Sequence, residues 1–316
     1  MSRKLSSVFA TAALISSTAL ADVPNVAVDI APVHSLVARV MQDVGAPDLI
    51  IRSGASPHDY RLRPSEAKAL QDANLVIWMG KELTPWMEDA VKTLSTEAAI
   101  LTLLEKDETT LLEFRESVLF EEHDHDDHSD KDHAETENQD HDEHAHGAHD
   151  PHAWLSPKNA KIWLNLIAAQ LSTADPDNAS TYFVNAAAAV TEIDTLMADV
   201  STMLDPIRGN SFIVFHDAYQ YFETVFEFPA SGAISLGDAT DPSPARIARV
   251  QDRIHEQKIQ CVLAEPQFKK GLVVTVLEGT DAKTSIIDPL GDALEPGPAL
   301  YPQLIRNMAK TLVDCF

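Results

Sequence analysis

Apolar positions along this chain follow two alternating patterns. Short runs rich in β-branched residues, Asn25 to Ile30, Asp48 to Ile51 and Asn74 to Met79, read as strands. Between them lie segments with apolar residues at helical spacing. Pro32 to Val44 places Val33, Leu36, Val37 and Val40 on one face, and Pro64 to Asp72 and Pro85 to Leu94 repeat the pattern. The alternation resumes later. Ser211 to Phe215 is a strand followed by a helix from about Asp217, and Pro244 to Gln257 is a helix. Cys261 to Ala264 is a strand, Gly271 to Glu278 a helix, Thr284 to Asp288 a strand and Tyr301 to Leu312 a closing helix. Buried strands alternating with amphipathic helices predict parallel sheets covered on both faces, hence an α/β fold in two (β/α) lobes. No convincing residue-level repeat relates the two halves.

Two segments break the alternation. Asn178 to Leu204 contains neither Gly nor Pro and is rich in alanine, with Phe183, Ala186, Val190, Ile193, Leu196, Met197 and Val200 at helical spacing and prolines marking both ends. It predicts one long rigid helix, roughly 40 Å at 1.5 Å per residue, joining the lobes; the alternative is two shorter helices broken near Thr191. The second interruption, residues 121–150, has almost nothing apolar and cannot contribute to a core. It holds eight of the 13 histidines (His123, His125, His128, His133, His141, His144, His146 and His149) among 13 carboxylates, with Lys131 its one cation. Imidazoles beside carboxylates suit zinc, copper and nickel, so the tract reads as a metal-collecting loop. The alternative is a solvated acidic linker. With imidazoles titrating near pH 6.5, its metal binding should weaken steeply below about pH 6.

The expected organisation is then a leader at 1–21, an N-terminal lobe at 22–175 that includes the acidic loop 121–150, a connecting helix at 176–206 and a C-terminal lobe at 207–316. The leader rests on Arg3 and Lys4, the apolar run Val8 to Ile15 and the small-x-small Ala19-Leu20-Ala21. It predicts secretion into a periplasm. No later stretch approaches the roughly 18 apolar residues of a spanning helix. The formal charge of -25 argues against nucleic acid and favours cationic cargo, although screening over about 8 Å leaves such attraction unselective. Two cysteines, Cys261 and Cys315, read as a disulfide in an oxidising compartment. Two ligating thiolates are the weaker alternative, because zinc cysteines usually come closely spaced.

Five histidines lie outside the tract. His255 sits on a charged helix face, and His34 opens a helix as an ordinary polar residue near a cleft. The remaining three occupy matching places: His58 after the second strand, His152 where the loop re-enters ordered structure, and His216 at the end of a buried strand. Ligands of open α/β sheets bind beyond the carboxyl ends of the strands, so two facing lobes would gather these residues in the interlobe cleft. Singly, each is more often a structural residue. Together, with Asp288 at another strand end as a fourth ligand, they suit tetrahedral zinc at about 2.0–2.2 Å.

The segments SPHDYRLRPSEAKAL, VIWMG, DPHAWLSP, FIVFHDAYQYFE, CVLAEPQF and IIDPLG resemble, in order and spacing, the zinc-binding substrate-binding proteins of bacterial ABC transporters of the ZnuA type. The resemblance implies two lobes, a long connecting helix, one high-affinity Zn2+ between the lobes held by His58, His152 and His216, an inner-membrane ABC permease as partner, and a disulfide like that of some zinc-specific members. The chain departs from members that place a glutamate before the first histidine. Here that residue is Pro57, which leaves Asp288 or water to complete the shell, with Asp288 favoured. Manganese-binding relatives typically have a carboxylate where His216 stands, and a third nitrogen favours zinc over manganese.

Three function classes fit secretion. The leading one is a monomeric binding protein for zinc uptake, with the tract as a weak accessory site. A periplasmic zinc chaperone or buffer is the second, and such a chaperone is also a candidate partner. A secreted zinc hydrolase is the remote third, since three histidines and a water also form a catalytic shell. The chain has neither HExxH nor Gly-x-Ser-x-Gly.

Overall fold

A computed structural model of the chain describes residues 23–115, 117, 119–120, 149–235, 237, 242–267 and 270–316. The expected leader and the tract histidines from His123 to His146 lie outside these residues. The first lobe holds strands β1 (Val26–Val28), β2 (Asp48–Leu49), β3 (Leu75–Trp78) and β4 (Ala99–Thr102), alternating with helices α1 (Ala31–Val40), α2 (Pro64–Asp72) and α3 (Pro85–Leu94). After the acidic tract come α4 (Pro157–Ala174) and the long α5 (Ala179–Leu204). The second lobe then runs β5 (Phe212–His216), α6 (Gln220–Phe226), β6 (Ala233–Ser235), α7 (Pro244–Gln257), β7 (Cys261–Ala264), α8 (Lys270–Leu277), β8 (Lys283–Ile286) and α9 (Leu300–Cys315).

Both sheets are parallel, and they share one topology: β2-β1-β3-β4 in the first lobe and β6-β5-β7-β8 in the second. The chain therefore repeats a fold without repeating residues. Strand order reverses between β1 and β3 and again between β5 and β7, and these are the switch points where open α/β sheets form crevices. In β5, Phe212 and Val214 face a core continuous with the first lobe, whereas Ile213 and Phe215 face a smaller cluster with Val250, Ile254 and Val262. That alternation is the period of two of a strand buried on both faces.

Helix α5 is unbroken over 26 residues, about 39 Å. Its buried stripe is Tyr182, Ala186, Ala189, Ile193, Leu196, Val200 and Leu204. The expected stripe is rotated by one residue at its start. Phe183 is 48% exposed, and Tyr182 is buried in its place, because the Tyr182 hydroxyl donates to Asp175 at 2.8 Å and fixes the helix orientation there. The helix packs on α1, α4 and α9. Asn185 donates to the carbonyls of Val40 and Gln42, supplying donors at the end of α1, where helical carbonyls lack partners. This explains why α1 stops at Val40 rather than at Val44. None of the helices in the described residues is long and apolar enough to cross a membrane.

At the first switch point the fully buried Asp29 follows β1. Its two oxygens accept from the backbone N–H groups of Ile30 (2.8 Å) and Met79 (2.7 Å), the latter just past β3. Burial pushes its carboxyl up from 3.8 to about 7, against the pull of these N–H groups. A folded-state pKa above the unfolded one means that stability from this group is lost as pH rises from about 4 to about 7. Relative to wild type, Asp29→Asn should therefore gain roughly 2–3 kcal/mol between pH 5 and 7.5, measured as the change in the urea-unfolding difference. A difference that stays constant with pH would show that Asp29 does not titrate there.

The disulfide joins Cys261, at the start of β7, to Cys315, at the end of α9, a separation of 54 positions in sequence, and both cysteines are buried. Closing a loop of this length stabilises by about 4 kcal/mol in the chain-entropy model. Replacing both cysteines with alanine should lower stability in urea by an amount of that order, and reductant should do the same to the wild type. A shift of the urea midpoint too small to measure would show that the crosslink contributes nothing.

Candidate metal site

His58, His152 and His216 meet in one cavity, lined also by Pro57, Trp154, Gln267, Pro289 and Leu290. The His152 ring centroid lies 5.4 Å from that of His58 and 5.3 Å from that of His216. The Nε2 atoms of His58 and His152 stand 3.4 Å apart. Two ligands of a tetrahedral zinc at about 2.0–2.1 Å would stand about 3.3–3.4 Å apart, so this separation fits one edge of such a shell. Among the described residues, no group of three or more His, Cys, Asp or Glu side chains already stands in metal-holding geometry. The arrangement is one matched pair of nitrogens with a third ring alongside.

Each ring is held from behind. His152 Nδ1 lies 2.7 Å from Asp150 Oδ1, which also accepts the His152 backbone N–H at 2.9 Å. His216 Nδ1 lies 2.6 Å from Glu265 Oε1. Asp150 and Glu265 are both buried. An Nδ1–H donated to a carboxylate leaves Nε2 with its lone pair free for a metal. His216 ends β5 and Glu265 follows β7, so this contact bridges the second switch point as Asp29 and Met79 bridge the first.

His58 rides on an irregular segment made rigid by a buried acid. Glu66 accepts from Arg52 Nε (3.0 Å), the Tyr60 hydroxyl (2.9 Å) and the Arg63 N–H (2.8 Å), gathering the chain on both sides of His58. Trp86 Nε1 donates to the Pro57 carbonyl at 2.8 Å. Across the cleft, Gly54 N–H donates to Asp292 at 2.7 Å, and Trp154 Nε1 donates to the Pro289 carbonyl at 2.8 Å. Both contacts tie the first lobe to the segment after β8.

Asp288 does not line the cavity. Its Oδ1 accepts from the N–H groups of Leu290 (3.1 Å) and Gly291 (2.8 Å), and its Oδ2 makes one longer contact, 3.4 Å to Ala293 N–H. It stabilises the turn that carries Pro289 and Leu290 to the histidines. Cys261 and Cys315 are bonded to each other, 5.8 Å apart at Cα, and take no part in the cavity. His34 is buried against the Pro47 carbonyl at 3.0 Å, and His255 is exposed.

The acidic tract springs from beside the site. Glu113 and His149 form an antiparallel bridge, and Asp150 N–H donates to the Leu112 carbonyl at 2.9 Å. Of the tract histidines, His149 alone falls within the described residues. The departing strand is also fastened to the second lobe. Arg115 forks onto Glu223 (3.0 and 3.2 Å) and approaches Asp217, next to His216, at 3.0 Å. Burial raises the Asp217 carboxyl to about 8 and raises that of Glu223, and Arg115 opposes both shifts. Sequence reasoning passed over Asp150, Arg115, Glu66 and Gln267. Asp150 and Glu265 had a usable signal, since each sits in the short motif of a site residue or at the end of a strand beside one. Arg115 and Glu66 act across folded distance and had none.

The ZnuA family, described as zinc-uptake complex component A, periplasmic, matches residues 26–315. The high-affinity zinc uptake system protein ZnuA of Paracoccus denitrificans is 47% identical over 317 residues, covering 98% of this chain and 96% of that protein. Its counterpart from Brucella abortus is 44% identical over 304 residues, covering 92% and 91%. A crystal structure of ZnuA superposes with a TM-score of 0.74 at 21% identity, covering 93% of this chain and 99% of that one, and so shares the fold. The chain thus belongs to the ZnuA family of periplasmic zinc-uptake components.

Proposed function

We propose that this protein captures Zn2+ in the periplasm and delivers it to an inner-membrane ABC permease, with His58, His152 and His216 as the nitrogen ligands. The observation that carries the reading is the 3.4 Å approach of two Nε2 atoms in a cavity that the third histidine also lines. A cation between two Nε2 lone pairs at this distance would be coordinated by both. Buried carboxylates behind His152 and His216 raise ligand basicity and fix the tautomer. Three nitrogens favour zinc over manganese, which prefers oxygen-rich octahedral surroundings. The fourth position falls to water while Asp288 keeps its turn contacts, and to Asp288 if Oδ2 releases Ala293. The tract, rooted beside Asp150, supplies further weak zinc sites and feeds the cavity.

Binding without catalysis fits the size of the cavity. At about 10 Å³ the space between the rings has room for roughly one water-sized sphere, the size of a single ion and little else. The protein works as a monomer, exported by the leader at residues 1–21. A periplasmic zinc chaperone is a further candidate partner.

A chelator-competition zinc titration should find one tight equivalent in protein lacking residues 123–146, a deletion that spares the Glu113–His149 bridge. His216→Ala should weaken that equivalent by more than about 100-fold, beyond the 10- to 100-fold range of outer-shell losses. If the deletion removes tight binding instead, the tract is the principal site. Growth of the source bacterium in zinc-poor medium should fail alike on loss of this protein, of the permease, or of both. Additive defects would point to a freestanding zinc buffer.

A further inference from the structure

The support behind His216 continues one side chain further than its carboxylate. Glu265 Oε1 faces His216 Nδ1, and Glu265 Oε2 accepts from Gln267 Nε2 at 3.0 Å. The Tyr219 ring packs on His216 with centroids 6.3 Å apart, and its phenol is pushed well up by burial, with the Glu265 carboxylate also raising it. Because a carboxylate can only accept, the Gln267 amide has one satisfactory orientation, with nitrogen toward Glu265 and oxygen away from it. That oxygen, Gln267 Oε1, is buried and has no hydrogen-bond partner among the described residues. Gln267 lines the same cavity as the three histidines.

A buried acceptor without a donor is destabilising unless a ligand brings the donor. Three imidazoles leave one tetrahedral position for an oxygen ligand, and the cavity has room for little more. A water on a metal ion is a stronger donor than bulk water, because the ion lowers its pKa. From this match we infer that Gln267 Oε1 accepts a hydrogen bond from the water completing the zinc shell, which makes Gln267 a positioning residue for metal retention. One glutamine then serves two sides of the shell. Its nitrogen steadies the carboxylate that orients His216, and its oxygen steadies the solvent ligand. The inference rests on the three-histidine reading proposed above.

The test uses the full-length protein and near-isosteric Gln267→Met, with Gln267→Glu and His216→Ala alongside. Gln267→Met should weaken the tight zinc equivalent about 10- to 100-fold and shift the visible d–d absorption of the Co2+-loaded protein. Melting of the metal-free protein should fall modestly, because the buried Glu265 Oε2 loses its Gln267 donor. Gln267→Glu keeps an oxygen at this place and can share a proton with Glu265, so it should retain most of the affinity. Wild-type zinc affinity and Co2+ spectrum in Gln267→Met, with binding lost in His216→Ala, would overturn this inference and leave the three-histidine reading standing. A loss of affinity in Gln267→Glu as large as in Gln267→Met would also overturn it, by making the amide nitrogen on Glu265, and not the oxygen, the part that zinc binding needs. Retention of tight binding in His216→Ala would remove the reading on which the inference depends.

Discussion

Two imidazole–carboxylate contacts govern the rest of this structure. Without Asp150 and Glu265, His152 and His216 would be free to turn either ring nitrogen toward the cleft. With those acids buried at 2.7 and 2.6 Å from the Nδ1 atoms, one nitrogen of each ring is committed inward and the orientation of the ring is set. The acids must therefore be buried, and burial of charge requires that their remaining lone pairs be met. Asp150 takes two contacts from His152 itself, and Glu265 takes one from Gln267. The polar network around the cleft is thus a condition for placing two nitrogens.

The placement also depends on topology. Each sheet reverses its strand order at one point, and in both lobes a side chain crosses that point: Asp29 to Met79 in the first, His216 to Glu265 in the second. The same architectural position ties two strands together in one lobe and orients an imidazole in the other. Helix α5 and helix α9 both pack on α1, and α9 is bonded through Cys315 to β7. The strand that ends at Glu265 is therefore anchored to the framework shared by both lobes.

Much of this was legible in the sequence. Helices α2, α3 and α7 and strand β7 have their expected boundaries because proline starts or strong apolar periodicity mark them. The meeting of His58, His152 and His216 in one cavity was legible because His216 ends a buried strand and the other two sit in short motifs between elements. Strands β4 and β6 escaped notice. In β4 the exposed Ala99 and Ile100 blur any alternation, and β6 has three residues, too few to show a period. Helix α4 was hidden in the motif that carries His152, although Ser156 caps it and Pro157 opens it. The orientation of Asp288 was not legible. A carboxylate ending a strand beside a cleft has the right chemistry and address for a ligand, but its oxygens are directed to the backbone of the next turn, a matter of side-chain rotation that spacing does not encode.

The bridge between Glu113 and His149 bears on how such a protein can change over generations. It brings the two feet of the acidic tract together, so anything inserted between them begins and ends at one fixed point. Each doubling of a flexible loop costs only about 0.6 kcal/mol in closure entropy. Histidines can then be gained, lost or duplicated in the tract while the cleft keeps its geometry. Selection for scarce or abundant zinc can act on the length and composition of this one segment, leaving the rest of the molecule under a separate and much stricter constraint.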